Sequence, residues 1–217
     1  MKSLVDHQLL SIPLERRSIR FWIKRFLDIV FSTLLLILLS PLLVIIAVLV
    51  KMTSEGPVLY SDYRVGQNGH LFKMYKFRTM FNNANEIKQQ LLEHNEMSGP
   101  VFKIRRDPRI TSFGYFLRKH SLDELPQLWS ILKGDMSLVG PRPPLPEEVK
   151  QYQPWHRQRL SVKPGATCLW QIMGRNEIDD FDEWVRMDLD YIRRWSLQLD
   201  FKIILKTVWT VFKGTGC

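Results

Sequence analysis

A chain of 217 residues with 45% hydrophobic content can bury a core, and its length suits one catalytic unit with an appended membrane element better than two independent domains. Its two cysteines, Cys168 and Cys217, give no basis for a disulfide framework or a thiolate metal site, and the five scattered histidines lack the paired spacing of a zinc site. A formal net charge of +9 calls for an anionic partner, which composition leaves open between nucleic acid, lipid headgroups and a phosphorylated substrate.

The chain divides into a polar and basic N-terminal extension over 1–24, a membrane segment over 25–51, and a catalytic region over 52–217 ending in an amphipathic helix. From Ile29 to Val50 the sequence is almost wholly apolar and long enough, as a helix, to reach across a bilayer. No small-residue cleavage site follows it, which argues against a signal peptide. At its midpoint Ser40-Pro41 predicts a kink, because proline removes a backbone donor and a serine hydroxyl can serve the carbonyl so freed. A kinked spanning helix would show the same feature. The flanks favour a re-entrant hairpin instead, since Arg16, Arg17, Arg20, Lys24 and Arg25 precede the run and Lys51, Arg64, Lys73, Lys76 and Arg78 follow it.

Asn68-Gly69 between the β-prone runs Val58–Val65 and Leu71–Phe77 predicts a β-hairpin. Helices are expected over roughly 83–95, over Ser112–Lys119, over Leu122–Lys133 stopped by Gly134, and over about 179–195. Gly140-Pro141-Arg142-Pro143-Pro144 forces a rigid extended loop between the last two. Near the C-terminus Leu199, Ile203, Ile204, Val208, Val211 and Phe212 recur at helical spacing opposite Lys202, Lys206 and Lys213, with Trp209 alongside. That stripe fits a membrane-interface helix or a helix packed on the core, and the upstream anchor favours the interface. The fold class is α/β, mostly helical with a small β-hairpin sheet.

Ser121-Leu122-Asp123-Glu124-Leu125-Pro126 puts adjacent carboxylates at a predicted helix start. Ser121 and Glu124 fit a capping box and Asp123 suits the helix dipole, so both acids have a purely structural reading. The functional reading rests on the surrounding charge, because Arg78, Arg109, Arg118, Lys119 and Arg142 lie on segments expected to converge there. A carboxylate can attack phosphorus, a divalent cation can neutralise a diphosphate, and guanidinium forks suit phosphate oxygens. No RNP-like or helix-turn-helix pattern accompanies the basic stretches, so no nucleic-acid partner is expected.

Three runs, Asp107-Pro108-Arg109-Ile110-Thr111, Phe116 through Trp129, and Lys133 through Pro143, resemble the bacterial sugar transferase family, monotopic phosphoglycosyl transferases. The Ser-Pro anchor and Lys76-Phe77-Arg78-Thr79-Met80 extend the resemblance from about Arg25 to the end. It implies attack by Asp123 on the β-phosphate of a UDP-sugar, release of UMP, and passage of the phosphosugar to undecaprenyl phosphate at the cytoplasmic face of the bacterial inner membrane. It also implies Glu124 as the second acid, Mg²⁺ held by Asp123 and Glu124, and phosphate-binding roles for Arg78, Arg109, Arg118, Arg142 and Arg175. Glucose or galactose is the preferred sugar, with an N-acetylated sugar as runner-up, and a homodimer is compatible with such an enzyme. A catalytically idle membrane scaffold, or a glycosyltransferase releasing UDP, are the alternatives. Many relatives carry several spanning helices and a further domain before the catalytic unit, and this chain reads as a compact form. One departure stands out: Cys168 replaces a glycine common in the family, and a positive φ there would imply strain.

Overall fold

The computed structural model describes residues 19–174 and 178–214. Helices α1 (Ile19–Leu38) and α2 (Ser40–Thr53) meet at Leu39 with a bend of 62°. Pro41 has no N–H for the carbonyl of Ile37 four residues back, and the Ser40 hydroxyl donates to that carbonyl at 2.8 Å. The kink expected at Ser40-Pro41 is therefore present. Among the described residues no single helix is long and apolar enough to cross a membrane, whereas the bent pair passes on length and composition together. α1 is already helical at Ile19, the first described residue, so helix extends back beyond the expected boundary at 25.

Much of this pair faces outward, including Trp22, Phe26, Leu34 and Leu38 on α1 and Val44, Val48 and Met52 on α2. Charged residues fasten it inward. Lys24 Nζ donates to Asp200 at 2.6 Å and to the Val139 carbonyl at 3.1 Å. Arg25 donates to the carbonyls of Ile131 and Leu132 at 2.6 and 2.7 Å, and the Asp28 carboxylate accepts from the Leu138 N–H at 3.0 Å. The basic residues read as topology signals are thus also docking groups.

Strands β1 (Leu59–Val65) and β2 (Leu71–Phe77) form the expected antiparallel hairpin, with Val65 opposite Leu71 and Leu59 opposite Phe77. Its tip turns through Asn68 and Gly69, at φ 57° and 80°, and the His70 N–H donates to the Gln67 carbonyl at 3.2 Å. That is the positive-φ turn for which Asn-Gly is selected. Phe72 and Met74 pack against Leu128 and Ile131 of α5 (Gln127–Lys133).

The remaining helices refine the expectations. The expected helix over 83–95 is α3 (Ala84–Gln90) followed by a 3₁₀ turn at Leu92–His94. α4 (Ser112–Lys119) has the expected bounds, with the Thr111 hydroxyl capping the Gly114 N–H. The helix expected over Leu122–Lys133 is broken, because Pro126 cannot donate back to Leu122; a 3₁₀ turn at Leu122–Glu124 precedes α5, which stops at Gly134, φ 92°.

Strand β3 (Ser137–Val139), helix α6 (Pro146–Lys150) and strand β4 (Gly165–Thr167) follow, with β3 and β4 parallel. Then come α7 (Leu169–Gly174), α8 (Phe181–Arg194) and α9 (Leu197–Lys213). α8 buries Phe181, Trp184, Val185, Asp188 and Leu189 at helical spacing, and Trp184 stacks on Trp170 at 4.0 Å. α9 corrects the single-stripe reading. Leu199, Ile203 and Ile204 pack on the core beside Val139 and Tyr191, while a second stripe of Phe201, Leu205, Val208, Trp209 and Phe212 stays exposed.

Arg25 caps the carboxyl end of α5 with both amino groups. Arg25→Ala is expected to cost about 2 kcal/mol of stability, and Arg25→Lys to recover only part of it, because an ammonium lacks the planar fork. Thermal unfolding of the purified variants checks this, and an unmoved midpoint for Arg25→Ala would contradict it.

Candidate active site

The segment leaving β2 organises the site. The Lys76 ammonium donates to Glu124 Oε1 at 2.6 Å, and Thr79 Oγ1 accepts from Arg118 Nε at 2.9 Å. The Thr79 carbonyl accepts the Thr111 N–H at 3.0 Å. α4 comes so close to this segment that a Cβ on Gly114 would lie 2.1 Å from the Thr79 oxygen, so only glycine lets Arg118 approach.

Between α4 and the acidic pair stands Ser121, at φ 53°, one of two described non-glycine residues with positive φ. Its N–H donates to the Arg118 carbonyl at 3.0 Å and its carbonyl accepts the Glu124 N–H at 3.2 Å. No side-chain cap bond forms at this turn, so the capping box expected of Ser121 and Glu124 is absent. The left-handed residue reverses the chain instead and sets Leu122–Glu124 as a tight turn in which Asp123 is buried and Glu124 half-buried. A serine held there costs about 1 kcal/mol or more.

Arg118 adjoins this turn through its carbonyl, which accepts the Ser121 N–H, and its side-chain bond to Thr79 uses only Nε. Arg109 lies just behind. It forks onto Asp107, Nε to Oδ1 at 2.8 Å and Nη2 to Oδ2 at 2.5 Å, with both residues buried. Burial pushes the Asp107 carboxyl up, but hydrogen bonds from Arg109 and the charges of Arg109 and Arg118 outweigh it and hold the group below the usual carboxylate value. Arg78 is turned away: its guanidinium donates to the carbonyls of Ser54, Pro57 and Val50 and to the Ser54 hydroxyl, closing the carboxyl end of α2. The convergence expected of Arg78 is therefore replaced by a helix-capping role. Arg175 lies outside the described residues.

Arg142 sits elsewhere. The Gly140–Pro144 loop lies against Pro164-Gly165 so tightly that a Cβ on Gly140 would meet the Lys163 oxygen at 2.5 Å and one on Gly165 the Gly140 nitrogen at 2.1 Å. Beneath it Arg159, buried and ion-paired to buried Asp188, donates to the Arg142 carbonyl at 3.3 Å and to the Tyr152 hydroxyl at 2.9 Å. Burial pulls the Asp188 carboxyl up while the guanidinium beside it pulls it back. The Arg142 side chain faces Glu148 at 3.7 Å, and its charge adds to burial in depressing Arg64.

Arg64 pairs with Phe72 at the turn end of the hairpin, whereas Lys76, which holds Glu124, pairs with Tyr60. The four residue steps from Tyr60 to Arg64 span about 13 Å. The two basic groups thus mark different ends of one hairpin.

Among the described residues no group of three or more His, Cys, Asp or Glu side chains is placed to hold a metal. The adjacent Asp123 and Glu124 carboxylates nonetheless supply hard oxygen donors of the kind that bind magnesium together with substrate phosphates and water. Cys168 does not have positive φ; it is buried in the core and its N–H donates to the Gln171 side chain at 3.1 Å, so the strain considered for that position does not arise.

Comparison with known proteins identifies the lineage. Residues 19–214 match the family model described as bacterial sugar transferase. The chain belongs to the bacterial sugar transferase family. It is 51% identical over 193 residues to a galactosyl transferase, CpsE, of Streptococcus agalactiae, covering 89% of this chain and 43% of that one. An undecaprenyl-phosphate galactose phosphotransferase of Salmonella typhimurium is 42% identical over 225 residues, covering 100% of this chain and 46% of the relative. The exopolysaccharide production protein ExoY of Sinorhizobium fredii is 41% identical over 197 residues, 89% of this chain and 87% of its own. The chain thus spans less than half the length of the first two relatives.

For this member of the family, sequence reasoning passed over Lys76 and Thr79 as site residues, along with the Arg159–Asp188 support under Arg142. Lys76 and Thr79 fall in a stretch the resemblance had already marked, so the signal existed; nothing local distinguishes Arg159 or Ser121.

The Asp107 shift carries a sign. Its folded value is depressed, so its contribution to stability is complete above the unfolded value near 3.9 and is lost as pH falls through the folded one. Asp107→Asn is expected to lower stability near pH 7 by about 2–3 kcal/mol, with the gap to wild type closing below about pH 4. Denaturant unfolding across that range measures it; a gap independent of pH would show that the carboxylate charge is not responsible.

Proposed function

We propose that the chain transfers a hexose 1-phosphate from a UDP-sugar to undecaprenyl phosphate, releasing UMP, through a covalent phosphosugar on Asp123. The observation that carries this reading is the strained Ser121 turn, which follows Arg118 closely at the end of α4 and sets buried Asp123 next to Glu124, itself fixed by Lys76. Membership of the bacterial sugar transferase family and the galactose phosphotransferase name of one relative support it, and make UDP-galactose the first donor to try.

In this mechanism a carboxylate oxygen of Asp123 attacks the β-phosphorus of the donor. The bond from that phosphorus to the bridging oxygen breaks, and UMP leaves with the electron pair. A phosphate oxygen of the polyprenyl acceptor then attacks the same phosphorus and returns the Asp123 carboxylate. Arg118 lays its free amino groups on the transferring phosphate, where a guanidinium fork is worth more than a point charge. Asp123 and Glu124 would hold a magnesium ion, which when bound would neutralise part of the diphosphate charge. Arg109, committed to Asp107, contributes field and rigidity, and Arg142 serves the hairpin's other end.

The same proposal places the bent α1–α2 pair as a re-entrant anchor in the cytoplasmic leaflet of a bacterial inner membrane. The exposed apolar side chains of α1, α2 and α9 lie on lipid and the catalytic unit lies on the cytoplasmic face. The bend, the Ser40–Ile37 bond and the outward stripe Phe201, Leu205, Val208, Trp209 and Phe212 support it. The acceptor's phosphate then meets Asp123 at headgroup depth while its tail stays in hydrocarbon.

Purified protein in nanodiscs, given undecaprenyl phosphate, Mg²⁺ and UDP-sugars, is expected to release UMP. Asp123→Asn is expected to lose more than about 10³-fold in turnover while staying folded. UDP as the released nucleotide, or near-normal turnover in Asp123→Asn, would defeat the reading. For the anchor, Pro41→Ala is expected to straighten the pair and expose a cysteine placed near the N-terminus to labelling from outside intact cells. Continued protection of that cysteine would deny Pro41 this role.

A further inference from the structure

Away from the acidic turn, α8 and the segment before the 3₁₀ turn at His156–Ser161 enclose an open cavity of about 430 Å³, lined by Trp155, Asp182, Arg186, Leu189 and Arg193. That volume falls within the range of small-molecule sites, roughly 300–1,000 Å³. Leu189 is buried at the floor, and the exposed Arg186 and Arg193 lie seven residues apart on the same face of α8. Their Cα atoms are about 10 Å apart along the axis, within reach of convergence for two long side chains above Leu189.

The charges along this face of α8 are unevenly paired. Asp182 stands four residues before Arg186, the helical spacing of an ion pair. Its carboxylate is instead bonded to His156 Nε2 at 3.0 Å. The Gln153 N–H donates to His156 Nδ1 at 3.2 Å, which leaves Nε2 as the nitrogen that carries the proton toward Asp182. Burial first, and Arg159 besides, hold the imidazole toward its neutral form against Asp182. Among the described residues neither Arg186 nor Arg193 makes an ion pair, although their neighbour Arg194 does, with Asp190. The Trp155 indole is fixed by its own bond, Nε1 to Gln153 Oε1 at 2.9 Å, and offers a rigid aromatic wall.

We propose that this cavity binds a nucleoside phosphate, its phosphate between the Arg186 and Arg193 guanidiniums and its base against Trp155, at a site separate from the Asp123 turn. A phosphate has oxygens and charge enough for two guanidinium forks, which a single carboxylate lacks. An indole face takes a flat base by stacking, with an arginine able to cover its other side. The inference does not rest on the proposed transfer reaction, because binding here needs neither Asp123 nor the acceptor.

The test is equilibrium titration of the whole chain in nanodiscs with UMP, AMP and inorganic phosphate, each with the wild type, Asp123→Asn, and the double variant Arg186→Ala/Arg193→Ala. Both arginines are exposed, so the double variant is expected to keep its fold, which circular dichroism checks. Saturable nucleotide binding that survives Asp123→Asn and weakens about tenfold or more in the double variant, with phosphate alone weaker than either nucleotide, is the expected result. Titrations unmoved by the double variant, nucleotides no tighter than inorganic phosphate, or no saturable binding at all would overturn it. Loss of turnover in Asp123→Asn bears on the transfer proposal alone, so the two fail separately.

Discussion

The architecture depends on burying charge inside an apolar helix. A segment as hydrophobic as α1 has no intrinsic reason to sit in one orientation against a catalytic unit, since its apolar side chains serve lipid and protein interior about equally. Lys24, Arg25 and Asp28 remove that freedom, each reaching a different element: α9, the carboxyl end of α5, and β3. Because a half-buried charge is costly without its partner, these contacts define one docked geometry instead of a sliding surface. The bend at Leu39 then fixes where α2 runs, and Arg78 ties the end of α2 to the strand that carries Lys76. The bent helix pair and the acidic turn are mechanically continuous through a few charge-assisted bonds.

The arginines sort themselves by what they are bonded to. Arg25, Arg78, Arg109 and Arg159 spend their donors on carbonyls or on carboxylates, and so build helix ends, a loop corner and a buried floor. Arg118 and Arg142 keep donors to offer, one beside the acidic turn and the other by the hairpin tip. A net positive chain therefore holds a much smaller usable positive surface than its composition suggests, and the usable part is localised.

Much of this was legible in the sequence, for reasons that can be named. The hairpin followed from Asn68-Gly69, the kink from Ser40-Pro41, and the bounds of α4 from the Ser112–Lys119 segment itself, because each is set by local backbone chemistry. The acidic pair is legible but its setting is not: Ser121 reads as a cap and instead takes a left-handed turn between the Arg118 carbonyl and the Glu124 N–H, a conformation for which serine has no preference. Arg78 and Arg142 were expected to converge with Arg118 because charge attracts attention in one dimension. Which carbonyl or carboxylate answers a guanidinium is decided by contacts many residues away, and spacing does not carry that information. The stripe on α9 failed in the same way, since a helix with apolar residues on two faces yields two periodic patterns, and only packing says which one is inward.

The bond between Lys24 and Asp200 joins positions 176 residues apart. At a ribosomal pace of roughly 5–20 residues per second, the partner of Lys24 emerges about 10–35 s after it. During the early part of that interval the helix pair exists without α5 and β3, the partners of Arg25 and Asp28, and for the whole of it without α9. Its bend, by contrast, is written entirely within residues 37–41 and is complete at once. The helix pair can thus acquire its shape from local chemistry during translation, while its docking through Lys24 waits for α9.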